Sequence, residues 1–142
     1  MLAQILITSS AGICLLFGTL HLIYTFASRK FSPRDAELEA SMKLTSPIIS
    51  RQTTMWRAWI GFNASHSAGA MLFGLVYAYL AMFQFDVLSQ SSFLTILGGL
   101  FLVSFLVLAK LYWFRVPLVG ISITLALYLI GFALVKGQAC VR

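Results

Sequence analysis

Charge is what this chain has least of. Only 10% of its 142 residues are charged and 60% are hydrophobic, whereas a soluble domain is about a quarter charged. Four tracts, 2–28, 58–85, 87–109 and 116–135, contain no Asp, Glu, Lys or Arg. Each reaches the roughly 20 residues that a helix needs to cross about 30 Å of hydrocarbon. The tracts are continuously apolar and lack the period-two alternation of a membrane β-barrel. Helices are then the structure that satisfies every backbone group inside a bilayer. The sequence therefore predicts an all-α integral membrane protein, an antiparallel bundle of four transmembrane helices in a single domain. The expected spans are 2–28, 55–85, 87–110 and 116–136, with an extramembrane segment over 29–54.

Other absences narrow the chemistry. No carboxylate falls inside any span, which argues against proton relays built on acids, paired-carboxylate glycoside chemistry and magnesium-dependent transfer. The two cysteines, Cys14 near mid-membrane and Cys140 at the outer end, form no C-x-x-C pair, so disulfide exchange is disfavoured. Cys140 is expected to be a free tail thiol, with an intermolecular disulfide as the alternative. Cys14 is deep and has no adjacent base, so it is no nucleophile. No basic residue precedes the first tract, which is longer than a signal-peptide core, so it is expected to stay in the mature chain.

The charge that is present is placed asymmetrically. Arg29, Lys30, Arg34, Lys43, Arg51 and Arg57 border or fill the first connection, and Lys110 and Arg115 border the last one. The connection between spans two and three holds only Asp86, and the C-terminus holds Lys136 and Arg142. By the positive-inside rule the first and last connections are cytoplasmic and both termini lie outside. This describes a multi-pass protein of a bacterial inner membrane. Topology and anionic headgroups account for the net charge of +6, so nucleic acid is not implied as a partner.

Within the cytoplasmic segment, "SPRDAELEASMKL" predicts a short interfacial helix with Ser32 as its N-cap and Pro33 at its first position. Ala36, Ala40 and Leu44, beside Leu38 and Met42, form its expected apolar stripe, and "TSP" at 45–47 ends it. Trp56, Trp59, Tyr112 and Trp113 mark the interface on the same side.

The least expected feature is polar. "WIGFNASHSAGA", residues 59–70, opens the second span with Asn63, Ser65, His66 and Ser67 inside five positions. At about 100° per residue, Trp59, Asn63, His66, Ala70 and Tyr77 share one arc, with Ser67 and Gly74 at its edge. Gly61, Ser65 and Gly69 form an opposite ridge suited to close helix packing. On the first span, Ser10, Cys14, Phe17, His21 and Thr25 share a face, with Tyr24 at its edge. His21 lies eight residues inside Arg29 and His66 nine inside Arg57, so both sit roughly 12–14 Å from one boundary at about 1.5 Å per residue. On the fourth span Gly120, Thr124, Tyr128 and Gly131 make a milder polar line.

Three uses of this cluster are open at this point. Its members could simply bond across helices and order the fold. They could line a slot for a lipid, a quinone or a similar amphiphile, with His21, Tyr24, Trp59, Asn63, His66 and Ser67 as ligand-binding groups and Arg57, Lys110 and Arg115 at the headgroup. Or His21 and His66 could ligate a b-type haem, the only metal role their chemistry suggests, in a small membrane enzyme or haem protein. Without Cys, Asp or Glu beside them, two histidines make a poor zinc set.

The strings "MWRAWIGFNASHSAG", "GTLHLIYTF" and "LAKLYWF" resemble those of a group of small four-helix bacterial inner-membrane proteins, over most of the chain. That resemblance implies fold and location and carries no activity or assigned site. "SHSAG" alone is similar to a stretch of the styrene oxide isomerases, small membrane enzymes that bind haem between protomers. The rest of the chain departs from them, and no role is carried over. The expectation is thus a small membrane subunit or binding protein that forms a homo-oligomer or docks on a larger membrane complex. The ridge on span two and Gly98–Gly99 on span three are its expected packing surfaces.

Overall fold

The structure is a computed structural model that describes residues 1–139, so Cys140 lies outside the described residues. Among them it is all-helical: α1 Leu2–Ala27, α2 Ala36–Leu44, α3 Met55–Phe83, α4 Phe85–Gln90, α5 Ser92–Tyr112 and α6 Arg115–Ala139. Helices α1, α3 and α5, with α6 over Arg115–Gly137, are long and apolar enough to cross a membrane. Their surfaces agree: Leu16, Phe62, Leu72, Leu100 and Val116 are all exposed. Apolar surface on this scale suits acyl chains rather than water.

Two boundaries differ from the sequence reading. Span three was expected from residue 87, but 85–90 form the separate helix α4 and α5 begins at Ser92. Ser91 sets that start, because its hydroxyl accepts from the Leu94 N–H at 3.2 Å. A charge-free run has no means of registering such a cap. Helix α2 is capped by Asp35 rather than Ser32, its Oδ1 accepting from the Glu37 N–H at 2.9 Å. The acidic cap also meets the positive end of the helix dipole. Finally, α2 buries none of its residues. Leu38 and Leu44 point outward, while the Glu39 side chain is the covered one, at 15% exposure.

Internal contacts divide the chain into two compact units, Met1–Phe17 with residues 70 onward, and Gly18–Gly69. In the first, Ile7, Ala11, Cys14, Phe73, Tyr77, Leu102, Leu125 and Tyr128 belong to one apolar core. Glycine permits close helix approach there at Gly74, Gly98, Gly120 and Gly131. A Cβ on Gly74 would lie 2.6 Å from Leu15 Cβ and 2.8 Å from the Ala11 carbonyl oxygen. A Cβ on Gly98 would overlap the Tyr128 hydroxyl and lie 2.6 Å from the Tyr77 ring. Those tyrosines hold α5 by its first turn, Tyr77 donating to the Leu94 carbonyl at 2.7 Å and Tyr128 to that of Thr95 at 2.9 Å. Gln4 donates to the Ala81 carbonyl at 2.8 Å and Ser10 to that of Thr124 at 2.8 Å. The line Gly120, Thr124, Tyr128, Gly131 is buried throughout, as a polar line in a membrane helix should be.

The expected ridge on α3 behaves otherwise. Gly61 and Ser65 are exposed, and a Cβ on Gly61 or Gly69 would meet nothing within 4 Å. Among the described residues, the two glycines of this ridge meet no neighbour at close range. Of the Gly98–Gly99 pair, Gly98 is an internal contact with the two tyrosines rather than an outward packing surface.

Candidate functional site

The second unit, Gly18–Gly69, contains the last turns of α1, the connector with α2, and the first turns of α3. Helical periodicity alone brings Trp59, Asn63, His66 and Ser67 to one side of α3. Each of the expected hydrogen-bonding groups then finds a partner.

Asn63 is the centre. Its Nδ2 donates to the Trp59 carbonyl one turn earlier at 2.8 Å. That bond fixes the amide, so its Oδ1, which can only accept, faces His21 Nε2 at 3.0 Å. Nε2 of His21 therefore carries the proton, and in the neutral ring Nδ1 is an acceptor. The His66 ring stands edge to face against His21, with centroids 5.2 Å apart and planes 64° apart. The two histidines, 45 positions apart in sequence, meet directly, and both are half-buried.

The connector closes over them. Phe31 lies against His21 at 4.4 Å between centroids, and Tyr24 stands edge-on to Phe31 at 6.4 Å. The Trp59 indole N–H donates to the Phe31 carbonyl at 3.0 Å, which ties the start of the connector to α3. Lys30 places its ammonium 3.8 Å from the centre of the Tyr24 ring, a cation–π contact. Phe31 and Lys30 were not anticipated from the sequence. Their only signal is an aromatic residue directly after a basic pair at the end of a span.

Not all the expected members contribute. Ser67 is fully buried and its hydroxyl donates to the Asn63 carbonyl at 2.9 Å, within its own helix. Its proton is thus used within α3. Thr25 does the same on α1, donating to the His21 carbonyl at 2.8 Å. Arg57 is exposed on the first turn of α3. Lys110 and Arg115 belong to the first unit, both exposed, at the end of α5 and the start of α6.

The arrangement does not suit a haem clamped by His21 and His66. Two axial imidazoles place their nitrogens about 2 Å from an iron on opposite faces of the porphyrin. Here the rings touch edge to face and His21 Nε2 is engaged by Asn63. No group of three or more His, Cys, Asp or Glu positioned for a metal occurs among the described residues.

Comparison with protein-family models, with curated proteins and with solved structures returned no match. The reading of the site therefore rests on its own geometry.

Proposed function

We propose that this chain is a small polytopic inner-membrane protein, a non-catalytic subunit or binding protein that holds the polar head of a lipid, a quinone or a similar amphiphile. The four long helices would form an antiparallel bundle that carries the site, with both termini outside and the 29–54 connector in the cytoplasm. The basic residues gathered on the first and last connections support that orientation. A homo-oligomer, or docking on a larger membrane complex, would use the ridge of Gly61, Ser65 and Gly69, whose glycines meet no close neighbour among the described residues.

The observation that carries the binding reading is that His21 meets Asn63, His66 and the Phe31 ring together. Interhelical hydrogen bonds in membrane proteins average only about 0.6 kcal/mol, less than a cluster of two histidines and an asparagine needs as its whole purpose. A slot between helices with a few convergent polar groups is how small ligands are usually held. His21, Asn63, His66 and Trp59 supply those groups, and Arg29, Lys30 and Arg57 supply positive charge nearby in sequence. Native mass spectrometry from a mild detergent tests this. The wild-type chain should carry a small-molecule adduct of fixed mass, and its absence from repeated preparations overturns the reading.

A further inference from the structure

The connector between α1 and α3 carries two side chains that its local geometry leaves unexplained. Thr45 accepts from the Met55 N–H at 2.8 Å, which closes the base of a loop over residues 46–54. At the far end Ser50 N–H donates to the Pro47 carbonyl at 3.2 Å. That bond makes Pro47–Ser50 a four-residue turn with Ile48 and Ile49 as its central residues. Turn centres exposed to water are the usual place for Gly, Asn, Asp and Ser. Here they are β-branched and apolar, with Ile48 at 108% and Ile49 at 92% exposure. Leu44, one residue before the base, is 85% exposed, and Leu38 on α2 is 51% exposed.

Three charged groups of the same unit, Arg29, Glu39 and Lys43, are paired at α2. Glu39 pairs with Lys43 at 2.6 Å and with Arg29 at 3.6 Å, and the Lys43 ammonium stands 5.2 Å from the Trp56 ring centre. The Arg29–Glu39 pair thus ties α2 to the end of α1, and the Lys43–Trp56 contact ties it to the start of α3. Both neighbours of the connector in the chain are spans, so it leaves and re-enters the bilayer on one face. Five basic residues against three acidic ones over 29–54 give it the sign that anionic headgroups attract.

We propose that Ile48 and Ile49 form a wedge that inserts into the lipid leaflet at the connector, with Leu38 and Leu44 at its shoulder and the basic residues on the headgroups. The occupant of this surface is lipid. The proposal rests on the membrane-spanning reading of α1 and α3, and its test separates the two. Single cysteines at Ile48, Arg34 and Val103 are introduced into the full-length Cys140→Ser chain, in which Cys14 is buried. Each is labelled with a small fluorophore and reconstituted into vesicles of phosphatidylcholine and phosphatidylglycerol. The label at 48 should be quenched by nitroxide-bearing lipid and shielded from aqueous iodide, as at the exposed α5 position Val103. The label at 34 should show the reverse. Iodide quenching at 48 equal to that at 34 overturns the wedge. Shielding at 48 from both quenchers also overturns it, by showing protein in place of lipid. Failure of lipid quenching at 103 as well shows that the spanning reading has failed, and the wedge with it.

Discussion

His21 Nε2 lies 3.0 Å from Asn63 Oδ1, and the orientation of that amide is set by the Trp59 carbonyl on its other side. One asparagine therefore links the end of α1 to the start of α3 through its amide oxygen, while its amide nitrogen is held within α3. Replacing it by leucine leaves an imidazole N–H without its acceptor in an apolar setting. Asn63→Leu is expected to lower stability in detergent by about 1 kcal/mol, toward the upper end for membrane hydrogen bonds. Ser65→Ala, at an exposed hydroxyl bonded within its own helix, should change it by less than about 0.3 kcal/mol. Reversible unfolding in mixed micelles reads both values.

Trp59 and Phe31 provide a test of the closed connector. Trp59→Phe keeps a ring but loses the N–H that holds the Phe31 carbonyl at 3.0 Å. The first residues of the connector should then open more often. Limited trypsin digestion should cleave after Arg29, Lys30 or Arg34 several-fold faster than in the wild-type chain.

Glycine substitutions should separate internal packing from the outer ridge. A methyl group at Gly98 meets two tyrosines whose hydroxyls are fixed by carbonyls of α5. Gly98→Ala should destabilise by about 1–3 kcal/mol, the usual range for overpacking. Gly61→Ala meets nothing within 4 Å and should be neutral, or stabilising by up to about 1 kcal/mol from helix propensity. If the ridge is the contact between protomers, Gly61→Leu should reduce the oligomer seen by crosslinking while leaving the monomer folded.

The docking of α2 should depend on pH with a definite sign. The Lys43 hydrogen bond, and then the charges of Lys43 and Arg29, hold the Glu39 carboxyl below its usual range, against the opposing effect of burial. A carboxyl lowered in the folded state contributes stability above its unfolded pKa and loses it as pH falls through the lowered folded value. Hydrogen exchange across α2, corrected for intrinsic rates, should therefore lose protection from about pH 5 downward. Glu39→Gln should show low protection at neutral pH and no further drop.

Much of this architecture is legible in the sequence because charge is so costly in hydrocarbon. The gaps between charged residues locate the helices, and counting inward from Arg29 and Arg57 places His21 and His66 at one depth. That count leaves open whether they touch or hold something between them, and the structure sets their ring centroids 5.2 Å apart. What escapes is carried by single hydrogen bonds. The Ser91 cap separates α4 from α5, and the Asp35 cap moves the start of α2. The Phe31 carbonyl, which receives the Trp59 N–H, has no side-chain signature at all. The ridge of Gly61, Ser65 and Gly69 shows the opposite error, since small residues at helical spacing permit close packing without supplying a neighbour. The contacts that seat α2, Glu39 with Arg29 and Lys43 with Trp56, likewise leave no mark in its apolar spacing.

The central claim is that His21, Asn63 and His66 together hold the polar head of an amphiphile. Native mass spectrometry of the wild-type chain beside His66→Phe, Asn63→Leu and Ser65→Ala, each released from the same detergent, tests it most directly. The account predicts an adduct of one mass on the wild-type and Ser65→Ala chains, reduced at least tenfold in the other two while circular dichroism stays helical. An adduct retained equally by all four chains, or found on none, would contradict it.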